Sequence, residues 1–143
     1  MKTARQLLAA KAKHETISVS PTATVYQALQ MMADANIGAI LVMESEKLVG
    51  IFSERDYARK VVLMGKTSAG TPVSDIMTHK LLCVPPSATT DECMGLMTEK
   101  RIRHLPVLDG DKVLGILSIG DLVQEKMADQ EFTIEQLAQY IYH

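Results

Sequence analysis

The stretch Gly50-Ile51-Phe52-Ser53-Glu54-Arg55-Asp56 recurs 65 residues later as Gly115-Ile116-Leu117-Ser118-Ile119-Gly120-Asp121. In each, an apolar run ends at a serine and a carboxylate follows three residues on, the pattern of a strand handing over to a capped helix. Working outward from this pair, residues 19–60 align with 84–125 without a gap, and twelve of the 42 positions are identical. They include Val19/Val84, Pro21/Pro86, Ile37/Ile102, Val42/Val107, Gly50/Gly115, Ser53/Ser118 and Asp56/Asp121. A duplication held in one register implies two copies of one supersecondary unit.

Each copy reads as β-α-β-β-α. A short first strand covers Thr16 to Val19 in one copy and Leu81 to Val84 in the other. Thr24-x-x-Gln27 and Thr89-x-x-Glu92 are capping boxes ahead of apolar residues at helical spacing: Val25, Ala28, Leu29 and Met32, then Cys93, Met94 and Met97. Two apolar runs follow in each copy, separated by Glu44-Ser45-Glu46-Lys47 or by Asp109-Gly110-Asp111-Lys112, and the Asp-Gly pair marks a hairpin. Ser53 and Ser118 then start the second helices.

These elements predict an α/β (α+β) fold of two repeats packed as a pseudo-twofold pair, because one copy of about 60 residues buries too little surface alone. Repeat one is expected over 2–66 with a helix at Ala4 to Ala10, and repeat two over 71–127 with a linker helix from Thr71-Pro72 through Met77. A separate terminal helix is expected over 130–143, capped by Thr133-x-x-Gln136 and carrying Phe132, Ile134, Leu137, Ala138 and Ile141.

Composition narrows the function classes. Apolar residues make up 47% of the 143, enough for a core, and 15 Lys and Arg against 17 Asp and Glu argue against a nucleic-acid binder. Cys83 and Cys93 form no C-x-x-C pair, which suits reduced thiols in a cytoplasmic protein. Met1 to Lys13 lacks the apolar centre of a secretory signal, and no run reaches the roughly 18 apolar residues of a membrane helix. His14 and His79 align across the repeat without a ligand cluster, so no metal site is expected. No P-loop, dinucleotide glycine fingerprint or nucleophile–base group is legible, so no catalytic residue is assigned.

The order, spacing and duplication of these words, with Arg103-His104-Leu105-Pro106-Val107-Leu108-Asp109 between them, resemble the cystathionine beta-synthase (CBS) domain pair, or Bateman module, from about Lys2 to Met127. The chain is similar to the stand-alone bacterial sort. The resemblance implies an inter-copy cleft with up to two sites for adenosine ligands: AMP, ADP, ATP, NAD or NADH, or less readily S-adenosylmethionine. It also implies a homodimer and a regulated partner of unknown identity, without a role at nucleic acid or membrane.

On that reading Asp56 and Asp121 accept the ribose hydroxyls, while Ser53, Ser118 and neighbouring N–H groups meet phosphate. Arg55 would neutralise phosphate at the first site. Gly120 replaces it in the second, where Lys80, Arg101, Arg103 and His104 are the candidate cations. Apolar walls for adenine would come from Ile17, Ile37, Ala39 and Ile51, and from Leu82, Ile102, Leu105 and Ile116. The plainer alternative is that Ser-x-x-Asp caps a helix and nothing more, in an interaction module with vestigial pockets.

Overall fold

The computed structural model describes residues 1–11 and 17–142, with side chains through 139; His14 and Thr16 lie outside the described residues. The chain has an α/β fold of two β-α-β-β-α repeats. Contacts divide it into two units, one of Thr16–Leu82 with Asp111–Val113, the other of Met1–Glu15, Cys83–Gly110 and Leu114–His143.

In the first-repeat unit, β1 (Ser18–Val19) runs parallel to β2 (Ala39–Glu44), which pairs antiparallel with β3 (Lys47–Ser53). Ala39, Ile40, Leu41 and Val42 are all buried, as a central strand covered on both faces must be. Between β1 and β2 lies α2 (Val25–Ala35), opened by the expected Thr24–Gln27 capping box and closed by Asn36 in the left-handed region at φ 55°. Its Val25, Ala28 and Met32 pack with Ile40, Val42, Phe52 and Val61 in the core. Each such apolar side chain contributes about 1.5–3 kcal/mol when fully buried.

The β2–β3 loop is tighter than the sequence suggests. The ladder reaches the Glu44–Lys47 pair, leaving Ser45 and Glu46 as a two-residue turn with φ of 50° and 66°. After β3, a single α-turn, α3 (Glu54–Asp56), passes into a π-helical stretch, Tyr57–Val62, whose end is marked by Leu63 N–H donating to Ala58 five residues back. The linker corrects an expectation. Thr71 to Met77 forms only a 3-10 turn, Val73–Asp75, and Thr71 does not cap it. The backbone there is held by the segment before α2, with Val25 N–H donating to Thr71 and Val73 N–H to Ala23, so helical pairing is pre-empted.

In the other unit, α1 (Ala4–Ala10) begins at a Thr3–Gln6 capping box. Thr3 bridges Thr89, as Pro72 bridges Thr24 in the first repeat, so α1 stands in for the linker turn. Next come α4 (Thr90–Lys100), β4 (His104–Asp109) and β5 (Lys112–Ser118), with Gly110 at φ 62° in the β4–β5 turn. The strand expected at Leu81 to Val84 shrinks to one parallel bridge, Val84 to Val107. Val84 N–H donates to Pro106 and Leu108 N–H to Val84. Extending that ladder needs N–H groups from residues 106 and 86, and both are prolines.

The tail corrects a second expectation. Instead of a break before residue 130, one helix, α5, runs Ile119–Tyr142 for 24 residues. The Thr133 hydroxyl donates to the Asp129 carbonyl within the helix, so it caps nothing. No Gly or Pro follows Gly120 to interrupt it.

Candidate functional site

Both Ser-x-x-Asp motifs sit where β3 and β5 end and a helix begins, because the serine keeps extended backbone while its hydroxyl serves the helix. Ser53 has φ −123° and ψ 164°; its Oγ accepts from Asp56 N–H at 3.2 Å, and Asp56 Oδ2 accepts from Ser53 N–H at 3.0 Å. In the second repeat the same two bonds are 3.2 Å and 2.8 Å between Ser118 and Asp121. Each motif is therefore a reciprocal capping box. The helix starts are tied back identically, Glu54 N–H to the Gly38 carbonyl and Ile119 N–H to the Arg103 carbonyl, at 3.1 Å and 2.9 Å.

The carboxylates differ in what else they hold. Asp56 is buried, and besides the cap it accepts from the Ser53 hydroxyl at 3.1 Å and, on Oδ1, from Thr78 Oγ1 at 3.3 Å and Lys60 Nζ at 3.1 Å. Thr78 is brought there by a two-way backbone bridge with Ile51 in β3. Asp121 is half-buried, and its Oδ2 takes Lys11 Nζ at 3.0 Å. Lys11 also donates to the Ile116 carbonyl at 3.0 Å, as Lys60 donates to that of Ile76 at 3.2 Å. Each carboxylate thus shares one ammonium with one backbone carbonyl. Asp56 has donors on both oxygens, whereas among the described residues the bonds to Asp121 converge on Oδ2.

Ala39 pairs with Ser53 across the β2–β3 ladder, which puts it beside the first motif, and Ile17 and Ile37 pack against the core of the same unit. Arg55 is exposed on α3. A hollow of about 410 Å³ lined by Leu29, Met32, Ala33, Asn36, Ile37, Gly38 and Glu54 takes in one candidate wall, Ile37, but neither Ser53 nor Asp56.

In the other unit His104 occupies the position equivalent to Ala39. Burial holds its pKa below the ordinary histidine value; the Asp121 charge opposes that shift, and Lys11 and Arg103 add to it. His104, Asp121 and Lys11 thus form one interacting group, with Arg103 exposed beside it. Ile102 is half-buried after α4, its N–H on the Met97 carbonyl. Lys80, exposed, and Leu82 belong to the first-repeat unit. Sequence reading assigned both to the second site and passed over Lys11, Lys60 and Thr78. Lys60 carried a signal in its i, i+4 spacing from Asp56; Lys11 and Thr78 are tertiary and carried none. Among the described residues, no group of three or more His, Cys, Asp or Glu could hold a metal ion, and no helix is long and apolar enough to cross a membrane.

The CBS domain family model matches residues 9–63 and 73–128. Among curated relatives, the chain is 41% identical over 123 residues to the mitochondrial CBS domain-containing protein CBSX3 of Arabidopsis thaliana, covering 82% of this chain and 60% of that protein. A solved structure of a protein with CBS domains from Burkholderia ambifaria superposes with a TM-score of 0.86 at 51% identity, over 90% of this chain and 96% of the other. The CBS domain pair of protein MJ0100, solved in complex with 5′-methylthioadenosine and S-adenosyl-L-methionine, matches at TM-score 0.80 and 21% identity, over 90% and 98% of the two chains.

Proposed function

Because the chain belongs to the CBS domain family and carries the domain twice, we propose that it is a regulatory module that binds an adenosine-containing ligand and signals occupancy to a partner protein, with no chemistry of its own. The observation that best supports this reading is the repetition of a helix-start carboxylate, each flanked by a serine and a lysine, at one place in both repeats. A carboxylate held in position can accept both hydroxyls of a ribose, and a cation beside it suits a phosphate. The ligand class shared by AMP, ADP, ATP, NAD(H) and S-adenosylmethionine is the adenosine itself, and the adenosyl ligands of the MJ0100 domain pair agree with that class. We assign Ser53, Arg55, Asp56, Ser118, Asp121, Arg103 and His104 to it and add Lys11.

On this reading the second repeat fills first. Among the described residues Asp121 has bonds on one oxygen, whereas Asp56 must release Thr78 or Lys60 before it can accept from a sugar. The chain acts as a homodimer, a reading supported by Tyr26, Met31, Val62, Leu63 and Met64 standing exposed on the first repeat. Transmission requires the ligand to prefer one arrangement of the assembly over another.

The capping geometry favours a second reading, an interaction module whose motifs only start helices. Mass spectrometry of ligand carried through purification, then calorimetric titration with AMP, ATP, NADH and S-adenosylmethionine, separates the two. The sensor reading expects one of these to bind and Asp121→Asn to weaken it about tenfold or more, the worth of a lost charged hydrogen bond. No binding by any of the four would leave the second reading standing.

A further inference from the structure

Along the outer part of α5 the residues at intervals of four, three, four and three are Val123, Met127, Gln130, Ile134 and Leu137. At 100° per residue they fall within about 80° of arc, a straight seam about 21 Å long. Val123, Met127, Ile134 and Leu137 are exposed at 42%, 57%, 65% and 56%, so nothing in the unit covers them. The packed side of the helix lies elsewhere: Leu122 is buried, Glu125 reaches Lys2 at 3.2 Å and Lys126 reaches Asp91 at 2.7 Å. The alternating spacing is that of the a and d positions of a two-stranded coil, with Met127 and Ile134 at a and Gln130 and Leu137 at d.

We propose that this seam is the docking surface for α5 of a second copy, paired parallel and in register; the inference rests on the homodimer reading above. Two features select this partner and orientation. Gln130 is the one polar residue in the seam. A parallel pair sets it opposite the partner's Gln130, where two amides can bond each other. The antiparallel register that matches a to d sets it opposite Ile134 of the partner subunit, with its polar atoms buried and unpaired. Charge on the flanks agrees. Lys126 precedes Met127 and Glu131 follows Gln130, so a parallel pair brings Lys126, held within the chain by Asp91 at 2.7 Å, to the same flank as the partner's Glu131 on both sides of the seam. The antiparallel pair sets Glu131 against the partner's Glu131. A membrane is a poor occupant, because α5 carries Asp121, Glu125, Asp129, Glu131 and Glu135 against the single cation Lys126.

About two heptads are too few to hold a dimer alone, so the seam adds to association rather than creating it. Sedimentation equilibrium of the full chain should show a dimer, and Ile134→Asp with Leu137→Asp should weaken it about tenfold or more, with unchanged circular dichroism because both positions are exposed. Unchanged self-association in that variant overturns the seam and leaves the homodimer reading intact. A wild-type chain that is monomeric at every concentration overturns both. Orientation is read by oxidising Gln130→Cys in a Cys83→Ser background. Ready formation of a disulfide dimer is the expected result. Crosslinking only when Gln130→Cys is mixed with Ile134→Cys overturns the parallel assignment.

Discussion

Lys60 and Glu125 occupy equivalent positions one helical turn beyond Asp56 and Asp121, and they carry opposite charge. Lys60 folds back on Asp56, whereas Glu125 turns away to Lys2, and the ammonium for Asp121 arrives instead from Lys11 at the end of α1. One repeat draws its cation from its own helix, the other from a distant part of the chain. The second carboxylate is therefore governed by the docking of α1.

This arrangement predicts a rescue. Lys11→Met removes the ion pair and the bond to the Ile116 carbonyl. The Lys11 and Asp121 side chains are 29% and 23% exposed, so the loss should be about 1 kcal/mol in urea denaturation. Adding Glu125→Lys restores a cation at the position that Lys60 holds in the first repeat, and should recover much of that loss. Glu125→Lys also breaks the pair with Lys2, so the double variant is read against both single variants, and losses that simply add would show that the two repeats do not share this electrostatic plan.

The β2–β3 turn places Ser45 and Glu46 in the left-handed region, where neither residue is at ease. Asn-Gly is the sequence that such a two-residue turn favours. Ser45→Asn with Glu46→Gly should raise stability by about 1 kcal/mol and the melting temperature by a few degrees. Equal or lower stability would mean that the turn is not a two-residue turn in solution.

Gly50 lies under the linker, and a methyl group there would run into Met77 and come within 3.2 Å of the Thr78 carbonyl. Met77 is buried and Thr78 donates to Asp56, so the strain reaches the carboxylate. Gly50→Ala should cost about 1–3 kcal/mol and weaken whatever binds at Asp56. Calorimetry and thermal melting on the same variant check both parts. A melting curve identical to that of the wild type would contradict the close approach.

Much of this architecture was legible because duplication doubles every local signal. The Thr24 capping box, both hairpins and both strand-to-helix handovers appear where the repeat places them, while of the expected box at Thr89 the structure shows the half in which the threonine accepts from Glu92 N–H. What local signals did not show is set by long-range bonds: the first strand of the second repeat is cut to one bridge because Pro86 and Pro106 lack the N–H groups its ladder would need. Thr133-x-x-Gln136 looked like a cap, but nothing before it stops α5. At the motifs, Ser53 and Ser118 start their helices where the sequence places them, and the groups that meet each carboxylate were only partly legible. Lys60 lies one helical turn from Asp56 and its spacing was legible, whereas Thr78 and Lys11 are set by how the linker and α1 cross the strands, which no spacing reveals.

His104 gives the remaining prediction. Burial, reinforced by Lys11 and Arg103 and opposed by Asp121, holds its pKa below the ordinary value of about 6.5. Between the two values the unfolded chain binds a proton that the folded chain refuses, so stability rises with pH across that window. The contribution is complete above the unfolded value, falls as pH drops through it, and levels off below the folded value. Replacing His104 with Gln removes the titrating group at similar size. Comparing urea midpoints at about pH 7.5 and pH 5.5, the wild type should lose more stability on acidification than His104→Gln. Parallel losses in the two proteins would mean that the imidazole protonates as freely when folded as when unfolded.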